Sequence, residues 1–281
     1  MRSLWVTEMI INRIIQSLSR HYTMITITNK YRTRLISLLF LGIFISPVFS
    51  QSDVSIEELT VLIDKDTTNA QLYINRGDVY FKERNFFDAV EDYTTAIELD
   101  SKADQAYFGR GMALARQGMI SEGISDLSLF IKRNPNSSLA YTKRGVRYMW
   151  LQDFDKAEKD LIKALALDPE NAEAHDDLGV IYAKRGKYEK ALEHFKATIR
   201  IDPSYQKAYH NLAMTLFLVK QDAGALLMVN QALEFNSNHR DALMLKSLIL
   251  EKLGRYEEAI SAKEDAEFLP ETNWSESVSV E

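Results

Sequence analysis

Residues 172–203 read AEAHDDLGVIYAKRGKYEKALEHFKATIRIDP, and they contain two amphipathic helical patterns on either side of a turn at Gly186. A hairpin of two such helices cannot bury its apolar face alone, so it needs neighbouring copies to complete a core. The second helix is predicted to end at Asp202, because the following Pro203 disfavours helical backbone before it and lacks an amide donor. These residues therefore predict one unit of a helical repeat array.

The same residue types return every 34 residues, without an insertion. A small residue of the first helix recurs as Gly77, Gly111, Gly145, Gly179, Ala213 and Ser247. A small residue of the second helix recurs as Ala89, Gly123, Ala157, Ala191, Ala225 and Ala259. Bulky residues stand one turn away from these two columns, as at Tyr73 and Tyr93. Because Gly and Ala let two helices approach closely and bulky side chains fill the remaining space, the columns predict six stacked hairpins.

The repeat resembles the tetratricopeptide repeat, whose spacings are met here by Leu178, Gly179, Tyr182, Gly186, Tyr188, Ala191, Phe195 and Pro203. The resemblance implies an all-α protein, a right-handed α-solenoid of six 34-residue helix-turn-helix repeats. These repeats are expected at 70–103, 104–137, 138–171, 172–205, 206–239 and 240–273. Helical spacing at 55–64 predicts an N-terminal capping helix within 51–69, and residues 274–281 are predicted to be an acidic disordered tail.

Residues 1–50 have the layout of a secretory signal peptide. A basic segment at 29–34 precedes an apolar run at 35–45, and cleavage is expected after Ser50. A translation start at Met24 would give this signal a conventional length. The alternative is a membrane anchor, but the run is shorter than the roughly 20 apolar residues of a spanning helix. We therefore expect a periplasmic or secreted protein with no stable transmembrane span after cleavage, and a membrane-anchored one as the alternative.

Charge and composition exclude several classes of function. The chain holds 34 Lys and Arg against 40 Asp and Glu, and residues 1–50 contain six of the former and one of the latter. The remainder therefore has 28 basic and 39 acidic residues, a net charge of −11. Such a charge argues against nucleic acid as a partner. Because the chain has no cysteine, thiolate metal sites and cysteine nucleophiles are also excluded.

Catalytic motifs are missing from the sequence. It has no His-Glu-x-x-His pair, no glycine-rich phosphate loop and no nucleophile elbow. His175 and His210 fall on equivalent helices of adjacent repeats, with Asp176 and Asp177 beside them, so a metal or acid–base site is conceivable. We favour the interpretation that His175 replaces tyrosine in a bulky column and that the acids are solvated or line a groove. The sequence therefore predicts no catalytic, cofactor or metal site and no enzymatic activity.

In the tetratricopeptide family the first helices line a concave face that holds peptides of partner proteins, and the resemblance implies the same here. The residues expected to line this groove are Asn75, Asp78, Phe81, Phe108, Met112, Arg116, Lys143, Val146, Met149, Trp150, Asp177, Val180, Lys184, Asn211, Met214 and Phe217. A floor of methionine and aromatic residues between charged edges suits an apolar segment, with Trp150 as the leading anchor. The alternative is that some of these apolar side chains pack against the neighbouring hairpin.

Cochaperones of this family clamp a C-terminal carboxylate, and the matching positions here hold Ile74, Asp78, Gly109, Leu139 and Lys143. Four of the five are wrong in type, and Asp78 would repel the ligand, so such a clamp is not expected. The sequence predicts instead a scaffold that binds a peptide or protein segment in the cell envelope. An accessory subunit of an envelope enzyme or secretion complex, or a self-associating assembly protein, would have the same pattern.

Overall fold

The computed structural model describes residues 54–270, and these form thirteen α-helices and no strand. The helices are α1 Ile56–Lys65, α2 Ala70–Lys82, α3 Phe86–Leu99, α4 Asp104–Arg116, α5 Ile120–Arg133, α6 Ser138–Trp150, α7 Phe154–Leu167, α8 Ala172–Lys184, α9 Tyr188–Ile201, α10 Gln206–Leu218, α11 Asp222–Phe235, α12 Arg240–Lys252 and α13 Tyr256–Glu267. The predicted signal segment at 1–50 and the predicted tail at 274–281 lie outside the described residues. The expected all-α repeat solenoid is confirmed.

Each hairpin turns at an equivalent residue whose backbone is left-handed. The positive φ angles occur every 34 residues, at Arg84, Gly118, Gln152, Gly186, Lys220 and Gly254. Glycine adopts this conformation without strain, whereas a residue with a side chain loses roughly 1–2 kcal/mol there. The turn predicted at Gly186 is therefore a property of every hairpin, including those that lack the glycine.

Small residues set the distance between the two helices of a hairpin. A Cβ atom added to Gly179 would lie 2.5 Å from Cε1 of Phe195, and one added to Gly77 would lie 2.9 Å from Cε1 of Tyr93. Both distances are shorter than van der Waals contact, so the aromatic ring of α9 or α3 occupies the space that a side chain would need.

The hairpins stack so that each helix packs on the next one along the chain. Each first helix also comes within contact of the following first helix, as α4 does with α6 and α8 with α10. Within residues 54–270, no second helix contacts another second helix. Because the first helices are closer together than the second helices, the array curves with its first helices on the inner, concave side.

Buried ion pairs join three consecutive helices in the first three hairpins. The Arg76 guanidinium of α2 donates from Nε and Nη2 to the two carboxylate oxygens of Asp92 in α3, at 2.8 Å each, and from Nη1 to Thr60 Oγ1 of α1 at 2.9 Å. Arg110 and Arg144 repeat this arrangement 34 and 68 residues later. We call the three arrangements the Arg–Asp ladder. Because α1 supplies Thr60, it occupies the place of a second helix.

The later hairpins are held together by apolar contacts. One continuous cluster of buried side chains runs from Ala157 in α7 to Ile249 in α12. Leu178 and Leu212 take the positions of the ladder arginines in the fourth and fifth hairpins, and both are buried. The position of the ladder arginine therefore changes from charged to apolar at the fourth hairpin.

Candidate binding groove

The predicted lining residues belong to α2, α4, α6, α8 and α10, the first helices of five consecutive hairpins. Two of their large apolar side chains are exposed, since Trp150 is 39% exposed and Met214 38%. Asp78 and Lys184 are also exposed. The partly buried members are Asn75, Phe81, Phe108, Met112, Arg116, Lys143, Val146, Met149, Asp177, Val180, Asn211 and Phe217. The inner wall thus offers apolar area at its third and fifth hairpins.

Several predicted floor residues also pack inside the protein. The ring of Phe81 lies 5.4 Å from that of Phe86 in the same hairpin, and the ring of Phe108 lies 5.1 Å from that of Phe130. Met149 packs against the buried cluster of the later hairpins. Part of the predicted apolar lining therefore packs inside the protein. Trp150 is the most exposed aromatic residue of that lining.

Polar contacts cross from one first helix to the next along the inner wall. Lys143 Nζ of α6 donates to both carboxylate oxygens of Glu173 in α8, at 2.8 and 2.6 Å. Asn211 Nδ2 of α10 donates to Asp176 Oδ1 of α8 at 3.1 Å. These contacts hold the third, fourth and fifth hairpins in register around the middle of the groove.

Arg147 is a charged residue inside this wall. It is 2% exposed, and its Nη1 donates to the Lys143 carbonyl oxygen at 3.3 Å. Within residues 54–270, neither its Nε nor its Nη2 has a hydrogen-bond partner, and the same holds for Nε of Arg116. The ring of Trp150 lies 4.8 Å from the Arg147 guanidinium and 5.6 Å from that of Arg116. Burial, with a smaller contribution from Arg116, lowers the pKa of Arg147 to about 10, so it stays protonated at neutral pH.

Three acids share the middle of the groove. Burial raises the pKa of Asp176 to about 6. Burial, together with Glu173 and Asp176, raises the pKa of Asp177 well above its ordinary value. These acids are surrounded by four basic side chains, which are Arg116, Lys143, Arg147 and Lys207. Because these four basic side chains outnumber the three acids, the middle of the groove carries excess positive charge.

The histidines form two separate pairs. His175 Nδ1 lies 2.9 Å from His194 Nδ1, and the ring of His210 lies 5.9 Å from that of His239. His175 and His210, which the sequence places on equivalent helices, therefore each have a different histidine as neighbour. In the part of the chain that the structure describes, no group of three or more His, Asp or Glu could hold a metal ion.

Sequence reasoning missed Arg147, although a signal was present. The equivalent positions in the other hairpins are Val79, Ala113, Ile181, Thr215 and Ile249. An arginine in a column of small and apolar residues is a departure that the 34-residue alignment makes visible. The Arg–Asp ladder was also missed, although its arginines and aspartates recur at the same step.

Comparison with known protein families gives five matches, each described as tetratricopeptide repeat. They cover residues 70–103, 105–137, 142–205, 182–249 and 241–266. No curated protein matches the sequence. Among the helices of the described residues, none is both long and apolar enough to cross a membrane.

Solved structures with a similar fold include three that cover most of the array. A chain of the APC/C hetero-tetramer Cut9-Hcn1 has a TM-score of 0.67 at 18% identity, over 75% of this chain and 43% of that one. This chain therefore spans less than half of the length of that relative. YrrB, described as a TPR protein with an unusual peptide-binding site, has a TM-score of 0.52 at 25% identity, over 67% and 97%. A tetratricopeptide repeat protein from Parabacteroides merdae has a TM-score of 0.61 at 21% identity, over 78% and 86%.

Proposed function

Because the chain belongs to the tetratricopeptide repeat family, we propose that it is a non-enzymatic scaffold whose concave groove binds a segment of a partner protein. Scaffolds for protein–protein interaction are typical of this repeat fold. The observation that carries the proposal is the exposed Trp150 indole in the third of the five hairpins that form the groove. A peptide-binding site is also described for the structural relative YrrB.

The groove would obtain its affinity from a few anchors. Trp150 and Met214 are large apolar side chains that remain accessible on the inner wall, and the partly buried Met112 lies in the neighbouring helix α4. Burying such side chains against a partner stabilises the complex, and a small number of residues usually supplies most of the binding energy. The charged side chains around them would contribute specificity and the rate of association.

We place this activity in the cell envelope on the sequence pattern of residues 29–50, as a periplasmic or secreted protein. Membrane anchoring by the same segment is the alternative. An accessory subunit of an envelope enzyme or secretion complex would use the groove in the same way. A self-associating assembly protein would instead place a second copy of this chain in the groove or at an end of the array.

The test is affinity purification of partners from an envelope fraction with the tagged full chain. The double variant Trp150→Ala with Met112→Ala should recover about tenfold less of a heterologous partner than the wild type does. The matched control removes two exposed apolar side chains of second helices, Phe87→Ala with Leu227→Ala, and should retain that partner.

If the groove variant recovers an unchanged set of partners while the control variant loses them, binding lies on the convex side and the proposal is wrong. Self-association is measured by size-exclusion chromatography with light scattering. If the groove variant loses self-association and no other partner is affected, the chain is a self-associating assembly protein and not a scaffold for another protein.

A further inference from the structure

We propose that the middle of the groove binds the carboxylate of an Asp or Glu side chain in the partner segment, and that Arg147 receives it beside Arg116 and Trp150. This inference rests on the proposed function, because it names the chemistry that the groove recognises. It concerns positions other than those of the cochaperone clamp, which the sequence already argues against.

Arg147 differs from the arginine three residues before it in the same helix. Arg144 donates to both carboxylate oxygens of Asp160 at 2.7 and 2.8 Å and to Ser128 at 3.0 Å. Arg147 makes a single long bond to a backbone carbonyl, and two of its buried nitrogen atoms have no acceptor among residues 54–270. A buried charge with unused donors costs free energy that an apolar residue at this position would not cost. An external acceptor would remove that cost.

A carboxylate fits the unused donors. The guanidinium presents its nitrogen atoms in a planar fork that matches the two oxygens of a carboxylate, and such charge-assisted pairs are stronger than neutral hydrogen bonds. The nearby Glu173 is already bonded to Lys143, and Asp177, whose pKa is raised by burial, forms no ion pair within the described residues. The site therefore lacks one negative charge from within the protein. Because the acidic Glu173 side chain lies close, a singly charged carboxylate is favoured over a doubly charged phosphate.

The place of Arg147 in the groove indicates an acidic side chain rather than a chain terminus. Met112 in α4 lies on one side of the third hairpin and Met214 in α10 lies on the other. A bound segment that contacts both would continue past Arg147 in both directions. The exposed indole of Trp150 lies 4.8 Å from the Arg147 guanidinium, so a bound segment that contacts Trp150 also comes close to Arg147.

The test begins with selection of displayed random peptides of about twelve residues on the full chain. Selected peptides should carry Asp or Glu at a fixed place. Changing that residue to Gln or Asn should weaken binding to the wild type by about tenfold or more, as expected for a hydrogen-bonded charge pair. The same change should weaken binding to Arg147→Met by less than about twofold, because the partner group is already gone.

Three protein variants keep the result interpretable. Lys159→Met removes the same charge from an exposed position on the second helix α7 and should leave binding unchanged. Arg147→Met should have a melting temperature equal to or above that of the wild type, because it removes a buried charge without an ionic partner. Should Arg147→Met fail to fold, Arg147→Lys keeps the charge and removes the fork, and it should weaken acidic peptides selectively.

The inference is overturned if the peptide's acid-to-amide change costs the same in the wild type and in Arg147→Met, or if phosphoserine in its place binds more tightly. Both results leave the groove as the binding surface. If no peptide is selected, or if selected peptides bind the Trp150→Ala and Met112→Ala double variant as well as the wild type, the proposed function is wrong and this inference falls with it.

Discussion

The first three hairpins and the last three share one 34-residue step and both bury apolar side chains, yet they differ at the positions of the Arg–Asp ladder. In the first three, arginine and aspartate are paired with both carboxylate oxygens bonded, as in Arg76 with Asp92. In the fourth hairpin the equivalent residues are Leu178 and His194, and Leu178 belongs to the buried apolar cluster that runs from Ala157 to Ile249. The same backbone arrangement is thus compatible with an ion pair and with uncharged side chains at these two positions.

The difference shows what a buried ion pair and apolar burial each contribute to the array. A buried ion pair adds little net stability, because desolvation offsets much of the attraction, but its hydrogen bonds are directional and tie three helices in one geometry. Apolar burial contributes roughly 25 cal/mol per Å² without a preferred direction. We therefore expect the early hairpins to be sensitive to the loss of one charge, and the later hairpins to be sensitive to volume and burial.

The largest effect is expected from breaking the ladder. Asp160→Ala leaves Arg144 partly buried without its carboxylate and should lower the free energy of unfolding by about 3–5 kcal/mol. The equivalent change in the fourth hairpin, His194→Ala, removes a partner of His175 and should cost about 1 kcal/mol. Urea denaturation followed by circular dichroism measures both.

The control is the double variant Asp160→Ala with Arg144→Met, which leaves no unpaired charge and should recover most of the lost stability. If Asp160→Ala costs no more than His194→Ala, the early hairpins do not depend on the ladder and the comparison fails.

The next effect is a pH dependence that belongs to the later hairpins. Asp176 has a pKa of about 6 in the folded protein because it is buried, against an ordinary value of 3.8. The folded state therefore holds this proton more tightly than the unfolded state, so stability falls as pH rises from about 4 to about 6. Asp176→Asn removes this loss, and the difference in unfolding free energy between the two proteins should change by up to about 3 kcal/mol across that range.

The comparison with Asp176→Asn is needed because His210 has the opposite dependence. Burial, with a smaller contribution from His239, lowers the pKa of His210 to about 4, so its contribution to stability is lost as pH falls below about 6.5. The two groups partly cancel in the wild-type profile. Parallel pH profiles for the wild type and Asp176→Asn would show that Asp176 titrates at its ordinary pKa.

The smallest effect concerns close packing of helices. In the apolar region, Gly179→Ala places a Cβ 2.5 Å from the Phe195 ring and should cost about 2 kcal/mol in thermal denaturation. In the third hairpin, Gly145→Ala meets Leu161 at 3.1 Å, and this flexible side chain can shift. The higher helix propensity of alanine, about 1 kcal/mol, should make Gly145→Ala nearly neutral.

Leu161 of the third hairpin is equivalent to Phe195 of the fourth. Adding Phe195→Leu to Gly179→Ala should therefore restore most of the lost stability. Equal losses for the two glycine substitutions would show that packing is equally tight in both regions, and the proposed contrast would then be limited to charge.

Much of the fold could be predicted from the sequence because its determinants are local and recur. The small residue at Gly179 and the bulky residue at Phe195 report directly on how closely α8 and α9 approach, and the same reasoning applies to every hairpin. The family resemblance at residues 172–203 pointed to the family that the comparisons match. Export remains a prediction, because residues 1–50 lie outside the described residues. The groove lining also remains a prediction, because the 34-residue step assigns helix positions and not a binding partner.

The parts that could not be predicted depend on where side chains point. Phe81 and Phe108 were expected to face the groove, yet each ring also contacts another ring of its own hairpin, a choice set by side-chain rotamers. Arg147 is the opposite case. The small and apolar residues at its equivalent positions predict that it is buried, whereas its charge does not. Periodicity assigns a residue to a face, but it does not determine which side chains find partners there.

The ladder has a consequence for how such an array changes its copy number. We call each arginine of the ladder with its two partners a rung. The first rung, at residues 60, 76 and 92, spans about one repeat, and the next rung begins at Thr94. A tandem duplication or deletion of 34 residues between equivalent points of the region from 60 to 160 would therefore rejoin complete rungs. A 34-residue deletion that joins α6 directly to the turn after α8 would instead place Arg144 opposite His194. Gain and loss of whole repeats should thus be tolerated best in the amino-terminal part of the array.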